Sequence, residues 1–384
     1  MNIGDYNKQI EVKGMKILHI NSYYNGSKFY KNLYDQQKKM GLDISVFVPV
    51  SLKLRNVDSF GKYTTISVNH SKYDRLIFYL KHKKILNDVI SKYEIKDYSV
   101  LHAHSLFSNG FIAMKLKEEY GIPYVVAVRN ADVNVFFKKM IHLRKLGIKI
   151  FMNADRVIFL SESYRDSVIN EYVPELDKEN ILNKSQVIPN GIEGFWLDNT
   201  GLPKKINNKC DIKLLQVGDI NKNKNIIKTA KVTSLLNKKG FNVELNIVGK
   251  IKDQKIFNEI KGLDYINYLG YKSKEDLINI YRENDIFILP SIYETFGLVY
   301  AEAMSQGLPI IYSKGQGFDS QFADGEVGYS VDCYNEENIA EKVIRIVSNY
   351  EGFSNSCLVK VHEFNWKKIV DRYSNIYSDV LNEE

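Results

Sequence analysis

Residues 287–311 read FILPSIYETFGLVYAEAMSQGLPII, and the order of residue types in this stretch decides the fold. The short apolar run 287–290 reads as a buried parallel strand, followed by a polar, turn-prone loop over 291–297. Residues 298–306 have helical composition, Gly307 is placed as a C-terminal cap, and Pro309 prevents the helix from continuing. In a parallel sheet such a loop opens at the carboxyl edge, where open α/β folds bind ligands. The helix that follows presents unpaired N–H groups and a positive dipole end, which together seat phosphate. Glu294 falls in the loop and Glu302 inside the helix, while Gly297 between them lets the backbone approach a ligand closely. One carboxylate ahead of a phosphate seat and one behind it suits the hydroxyls on either side of a diphosphate. A nucleotide-sugar presents that pattern.

A chain of 384 residues exceeds one ordinary core and predicts two domains. Apolar content of 44% without a membrane-length run points to a cytoplasmic protein. Residues 1–14 are read as a disordered leader, since the segment is polar and carries no secretory signal. Cys210, Cys333 and Cys357 are scattered and lack metal-ligand spacing, so neither disulfide, metal nor other cofactor is expected. Charge is uneven: residues 1–200 hold 29 Lys and Arg against 21 Asp and Glu, while the remainder is almost neutral. A basic first half predicts an anionic acceptor or surface there, and the absence of a nucleic-acid motif argues against DNA or RNA.

Apolar strands alternate with amphipathic helices from 15 to 192 and again from 213 onward, the pattern of βαβ units and parallel sheets. The expected organisation is an N-terminal acceptor-side domain (15–195), a linker (196–211), a donor-binding domain (212–362) and a final helix (363–384). The basic, apolar stretch 136–151 reads as one helix with Lys138, His142, Lys145 and Lys149 on a stripe, suited to resting on an anionic membrane.

Strand, Pro-Ser, Glu-Thr-Phe-Gly, small-residue helix, Gly-Leu-Pro and second strand in this order resemble the retaining glycosyltransferases of family 4, with their E-x7-E motif. HAHS at 102–105, VVAVRNAD at 125–132, LLQVG at 214–218 and NDIFILPS at 284–291 fall in the order of that family's landmarks. The resemblance implies the GT-B architecture, two Rossmann-like α/β domains facing each other, with the last helix crossing back to the first. It places Glu294, Thr295, Phe296 and Gly297 against the donor sugar, the N–H groups of Leu298 and Val299 on the diphosphate, and Glu302 on the ribose. In the loop after LLQVG, Gly218 and Lys224 match the family's diphosphate site. Asp219 stands where the family has arginine, and Lys222 is a candidate to compensate. Arg129-Asn130 replaces the family's His-Gly. Arg129 is a candidate for binding a phosphate or an anionic acceptor, or for pairing with Asp132 or Glu294. Gly26, His104, Asn130 and Asp132 complete the candidate acceptor-side residues; His102 and His104 share one face of a strand, where at least one is expected to pack.

The expected reaction moves a hexosyl or N-acetylhexosaminyl group, with retention, from a nucleoside diphosphate donor, a UDP-sugar favoured. The acceptor is a glycan or lipid-linked molecule of cell-surface polysaccharide synthesis. Two alternatives stay open: a catalytically silent GT-B subunit, kept alive by Asp219 and Arg129, and a nucleotide-sugar epimerase.

Overall fold

The computed structural model describes residues 14–24, 28–52 and 60–382. The expected leader, apart from Gly14, and Gly26 lie outside the described residues. The chain forms two compact units. One comprises residues up to Leu160, Arg165–Ile188 and the tail from Trp366; the other comprises Ser161–Tyr164 and Pro189–Asn365.

The first unit is built on a seven-stranded sheet. Its strands are β1 (Lys16–Ile20), β2 (Asp43–Val50), β3 (Thr64–Val68), β4 (Val100–Ala103), β5 (Tyr124–Ala127), β6 (Arg156–Phe159) and β7 (Ser185–Val187). They lie in the order β3-β2-β1-β4-β5-β6-β7, and every pair is parallel. The strands read as unbroken apolar runs because helices cover the sheet. Ile17, Val46, Val100, Val125 and Ile158 form one buried layer. The tail helix Trp366–Asn382 lays Ile369, Val370, Tyr373, Ile376 and Tyr377 on that layer, as its 3.6-residue apolar period requires.

The second unit repeats the plan with six strands: β8 (Asp211–Val217), β9 (Asn242–Val248), β10 (Ile266–Tyr268), β11 (Ile286–Leu289), β12 (Ile310–Ser313) and β13 (Gly328–Val331). Their order is β10-β9-β8-β11-β12-β13, again all parallel. Winding reverses between β8 and β11, so the helices that follow these two neighbours go to opposite faces of the sheet, the place where open α/β folds bind ligands.

Two expectations are corrected. Residues 136–151 are not one helix. A π-helical turn (Asp132–Phe137), a 3-10 turn (Ile141–Leu143) and a helix (Arg144–Asn153) follow one another, with Met140 outside all three. The guanidinium of Arg144 donates to the Phe137 carbonyl at 2.7 Å across this break, and Lys149 pairs with Glu118 at 2.9 Å, so the basic stripe is not continuous. The segment 196–211 is no free linker either. It begins inside a short helix (Gly194–Asp198), and Gly201 N–H bonds the Ser305 carbonyl at 2.8 Å while Lys204 N–H bonds Ser354 Oγ at 2.9 Å. Among the described residues no helix is long and apolar enough to cross a membrane.

Candidate active site

In the second unit the loops after β8 and β11 are stitched together at the switch point. Lys224 Nζ lies 2.6 Å from Glu294 Oε2, with the two side chains 21% and 13% exposed. Around this pair three asparagines hold backbone. Asn223 accepts from Tyr293 N–H (2.9 Å) and donates to the Tyr293 carbonyl (2.8 Å). Asn225, in the left-handed region at φ 55°, donates to the carbonyls of Pro290 (3.0 Å) and Cys333 (2.7 Å). Asn221 Oδ1 accepts the N–H of Lys224 at 3.1 Å. Asparagine tolerates φ > 0 and supplies both donor and acceptor, which is why it recurs here.

Glu294 is held from several sides. Its N–H donates to Gln316 Oε1 (2.9 Å), its Oε1 accepts from Thr295 N–H (3.2 Å), and its carbonyl accepts from Gly317 N–H (2.9 Å). A Cβ on Gly317 would stand 1.6 Å from the Thr295 carbonyl oxygen, so only glycine permits this approach. Gly297, at φ 76°, caps the Leu298–Ser305 helix, and a Cβ there would meet the Tyr300 ring at 2.5 Å. The first N–H groups of that helix, Leu298 and Val299 among them, have no carbonyl one turn back to receive them. Further along, Glu302 accepts from the Tyr281 hydroxyl at 3.4 Å. Burial lifts its carboxyl to about 7, Glu193 adds to the rise, and the Tyr281 hydrogen bond opposes it.

The first unit carries its own polar cluster beyond β5. Arg129 is buried beside Tyr30 and Tyr373, which favour its charged form against the cost of burial, and its Nε has no partner. Asp132 uses Oδ2 to accept from the N–H groups of Leu106 (3.0 Å) and Arg129 (2.8 Å), and Oδ1 to accept from Phe107 N–H (3.0 Å). Burial lifts this carboxyl to about 6 against those three bonds. Asp132 thus fastens the loop after β4 to the loop after β5.

Two family descriptions match this chain back to back, "Glycosyltransferase Family 4" over residues 26–193 and "Glycosyl transferases group 1" over residues 199–356. The chain belongs to glycosyltransferase family 4. An uncharacterized glycosyltransferase of Methanocaldococcus jannaschii is 25% identical over 82% of this chain and 84% of its own length. The capsular polysaccharide biosynthesis glycosyltransferase CapM of Staphylococcus aureus is 28% identical over 53% of this chain and 54% of its own. Among solved structures, Anabaena HepE in complex with UDP and glucose superposes with a TM-score of 0.65 at 14% identity, covering 95% of this chain and all of that one. The fold is GT-B, with two parallel-sheet, Rossmann-like units.

Against this frame the transferase brings Gly218, Lys224, Glu294, Thr295, Phe296, Gly297, Leu298 and Val299 to one edge of its second sheet. Phe296 is 1% exposed, so only its backbone is available there. Lys222 is exposed on the 3-10 turn Lys222–Lys224. Asn130 Oδ1 accepts a hydrogen bond from the Asn134 side-chain amide. His104 is corrected: it is fully buried, its Nε2 lies 3.0 Å from His19 Nδ1, and its ring stacks on His102 with centroids 4.1 Å apart. His19 and His102 are register partners on β1 and β4, which puts all three rings on one face of the sheet. They form a histidine triplet that sequence spacing did not reveal. One ring nitrogen from each of the three lies within 4.8 Å of the others. Sequence reading also missed the Asn223 and Asn225 clamps and the two tyrosines beside Arg129; the asparagine-rich GDINKNKN was the available signal for the first.

Proposed function

We propose that this transferase moves a hexosyl or N-acetylhexosaminyl group, with retention, from a UDP-sugar to a glycan or lipid-linked acceptor in polysaccharide synthesis. The observation that carries the reading is the Lys224–Glu294 pair at the switch point, beside the start of the Leu298–Ser305 helix, where Gly297 supplies no side-chain cap. A donor diphosphate placed at that helix start draws Lys224 and the N–H groups of Leu298 and Val299, while Glu294 turns to the sugar hydroxyls and Glu302 to the ribose. The bond from the anomeric carbon to the phosphate oxygen breaks with its electrons on the diphosphate. The acceptor oxygen bonds the same face of that carbon, and its proton passes to the departing phosphate. The UDP and glucose bound to HepE, and the capsular role named for CapM, support the donor and the pathway class.

Arg129, buried with Nε unpartnered, is assigned to the substrate phosphates or to an anionic acceptor. The basic first half is assigned to an anionic membrane face, where Ile141 and Val135 are exposed near Lys138 and Lys145. The deciding experiment supplies labelled UDP-sugars with glycan and lipid-linked acceptors and reads the anomeric configuration of the product by NMR. Transfer with inversion removes the retaining assignment. Donor isomerisation without acceptor points to an epimerase, and no turnover with any donor points to a silent subunit.

A further inference from the structure

A recess lies wholly within the first unit at the carboxyl edge of β1, β2 and β3. It encloses about 330 Å³, and its lining includes Ser22, Leu52, His70, Lys81, Ser108 and Asn109. Among the described residues no acidic side chain lines it. Asn109 is 1% exposed; its Oδ1 accepts the N–H of Ser22 at 3.3 Å, and its Nδ2 donates to nothing. A buried amide without an acceptor is a standing cost unless a ligand supplies one. Asn109 is also the second residue of the helix Ser108–Tyr120, whose N-cap residue Phe107 offers no side-chain cap. The positive end of that helix therefore points the same way as the orphan amide and the Lys81 charge. On the far wall His70 is oriented through Asn69 (2.8 Å), which in turn donates to Asp88 at 2.9 Å. Asn109, Lys81 and the start of this helix all border the recess, and none of them belongs to the donor site of the second unit.

One apolar rim residue is Leu52, in the lining and 67% exposed; Val68, Ile77 and Tyr79, a few residues from His70 and Lys81 in the chain, are exposed as well. If the chain transfers a sugar, as proposed above, something in its first unit must hold the acceptor. On that reading we propose that this recess seats a phosphate group carried by the acceptor, held by Asn109 Nδ2, Lys81 and the start of the Ser108–Tyr120 helix. The apolar part of the rim takes the chain of an amphiphilic phosphate.

Calorimetric titration of the full chain with decyl phosphate below its micelle concentration, inorganic phosphate, decanol and UDP tests this. Saturable binding of decyl phosphate is expected, with none for decanol. Lys81→Gln and Asn109→Asp should each weaken it at least tenfold while UDP affinity stays unchanged. Asn109→Asp keeps the acceptor for Ser22 N–H and adds a repelling charge; should it not fold, Lys81→Gln decides. Tighter binding of decyl phosphate than of inorganic phosphate assigns the seat to a lipid-linked acceptor, and equal binding assigns it to a soluble phosphorylated one. Failure of the wild type to bind either phosphate, or unaltered affinity in a folded Lys81→Gln protein, overturns the assignment. Loss of UDP binding with phosphate binding intact would count against the transferase reading and not against the recess.

Discussion

Glu294→Gln should tighten the binding of UDP while abolishing transfer. In the free protein Lys224 Nζ sits 2.6 Å from Glu294 Oε2, so the cation that the diphosphate needs is already engaged. The gross attraction at this distance is about 6 kcal/mol for an effective dielectric near 20. Desolvation and solvent screening leave roughly 1 kcal/mol net for a pair this close to water. Glutamine keeps the length of the side chain and an acceptor for Thr295 N–H, but it no longer holds the lysine. Releasing Lys224 should therefore raise UDP affinity by about 1 kcal/mol, close to fivefold. Lys224→Ala should lower it by about 1.5–3 kcal/mol, the range for a hydrogen bond to a charged group. In the Lys224→Ala/Glu294→Gln double variant the gain should vanish, because no lysine remains to be freed. Calorimetry with UDP reads all three variants, and labelled-donor assays read transfer. Weaker UDP binding by Glu294→Gln, or a gain that survives in the double variant, refutes the idea that the two side chains compete with the diphosphate.

Arg129→Lys should fold normally yet lose most transfer activity, because lysine cannot reproduce a planar bidentate fork; full activity would make Arg129 structural. Burial depresses both His19 and His82 to about 3, below the usual histidine value of 6.5, so each is neutral in the fold and gains a proton on unfolding. Stability should be intact above pH 6.5 and fall between pH 6.5 and about 3, by about 2 kcal/mol per histidine at pH 5. Urea midpoints at pH 7.5 and 5 measure this, and His82→Phe should flatten the slope; a midpoint indifferent to pH contradicts it. Sedimentation with vesicles should show binding that requires anionic lipid, weakens with salt and drops in Lys138→Glu/Lys145→Glu, with UDP affinity unaltered. Indifference of the wild type to anionic vesicles at low salt removes the membrane assignment.

Both sheets, and the strand-loop-helix unit that carries Glu294 and Glu302, were legible in the chain because each signal is local. An apolar run bounded by Pro290, a left-handed glycine at the helix start and Pro309 after the Gly307 turn constrain the backbone within a few residues. The tail helix was legible for the same reason, its apolar residues recurring every three or four positions from Ile369 to Val380. Residues 136–151 misled, since composition and periodicity do not register where Arg144 reaches back to the Phe137 carbonyl and the helix is interrupted. His104 misled as well: strand alternation gives its face, but whether that face is a rim or a core depends on the helices laid over it. Tertiary structure alone decided that Lys224 meets Glu294, 70 residues away, and that His102 meets the Tyr377 hydroxyl of the tail helix. These contacts follow from strand order, β8 beside β11 in one unit and β1 beside β4 in the other. Strand order is set by the crossover connections and the packing of whole layers, a property of the assembled core that no single stretch of residues encodes.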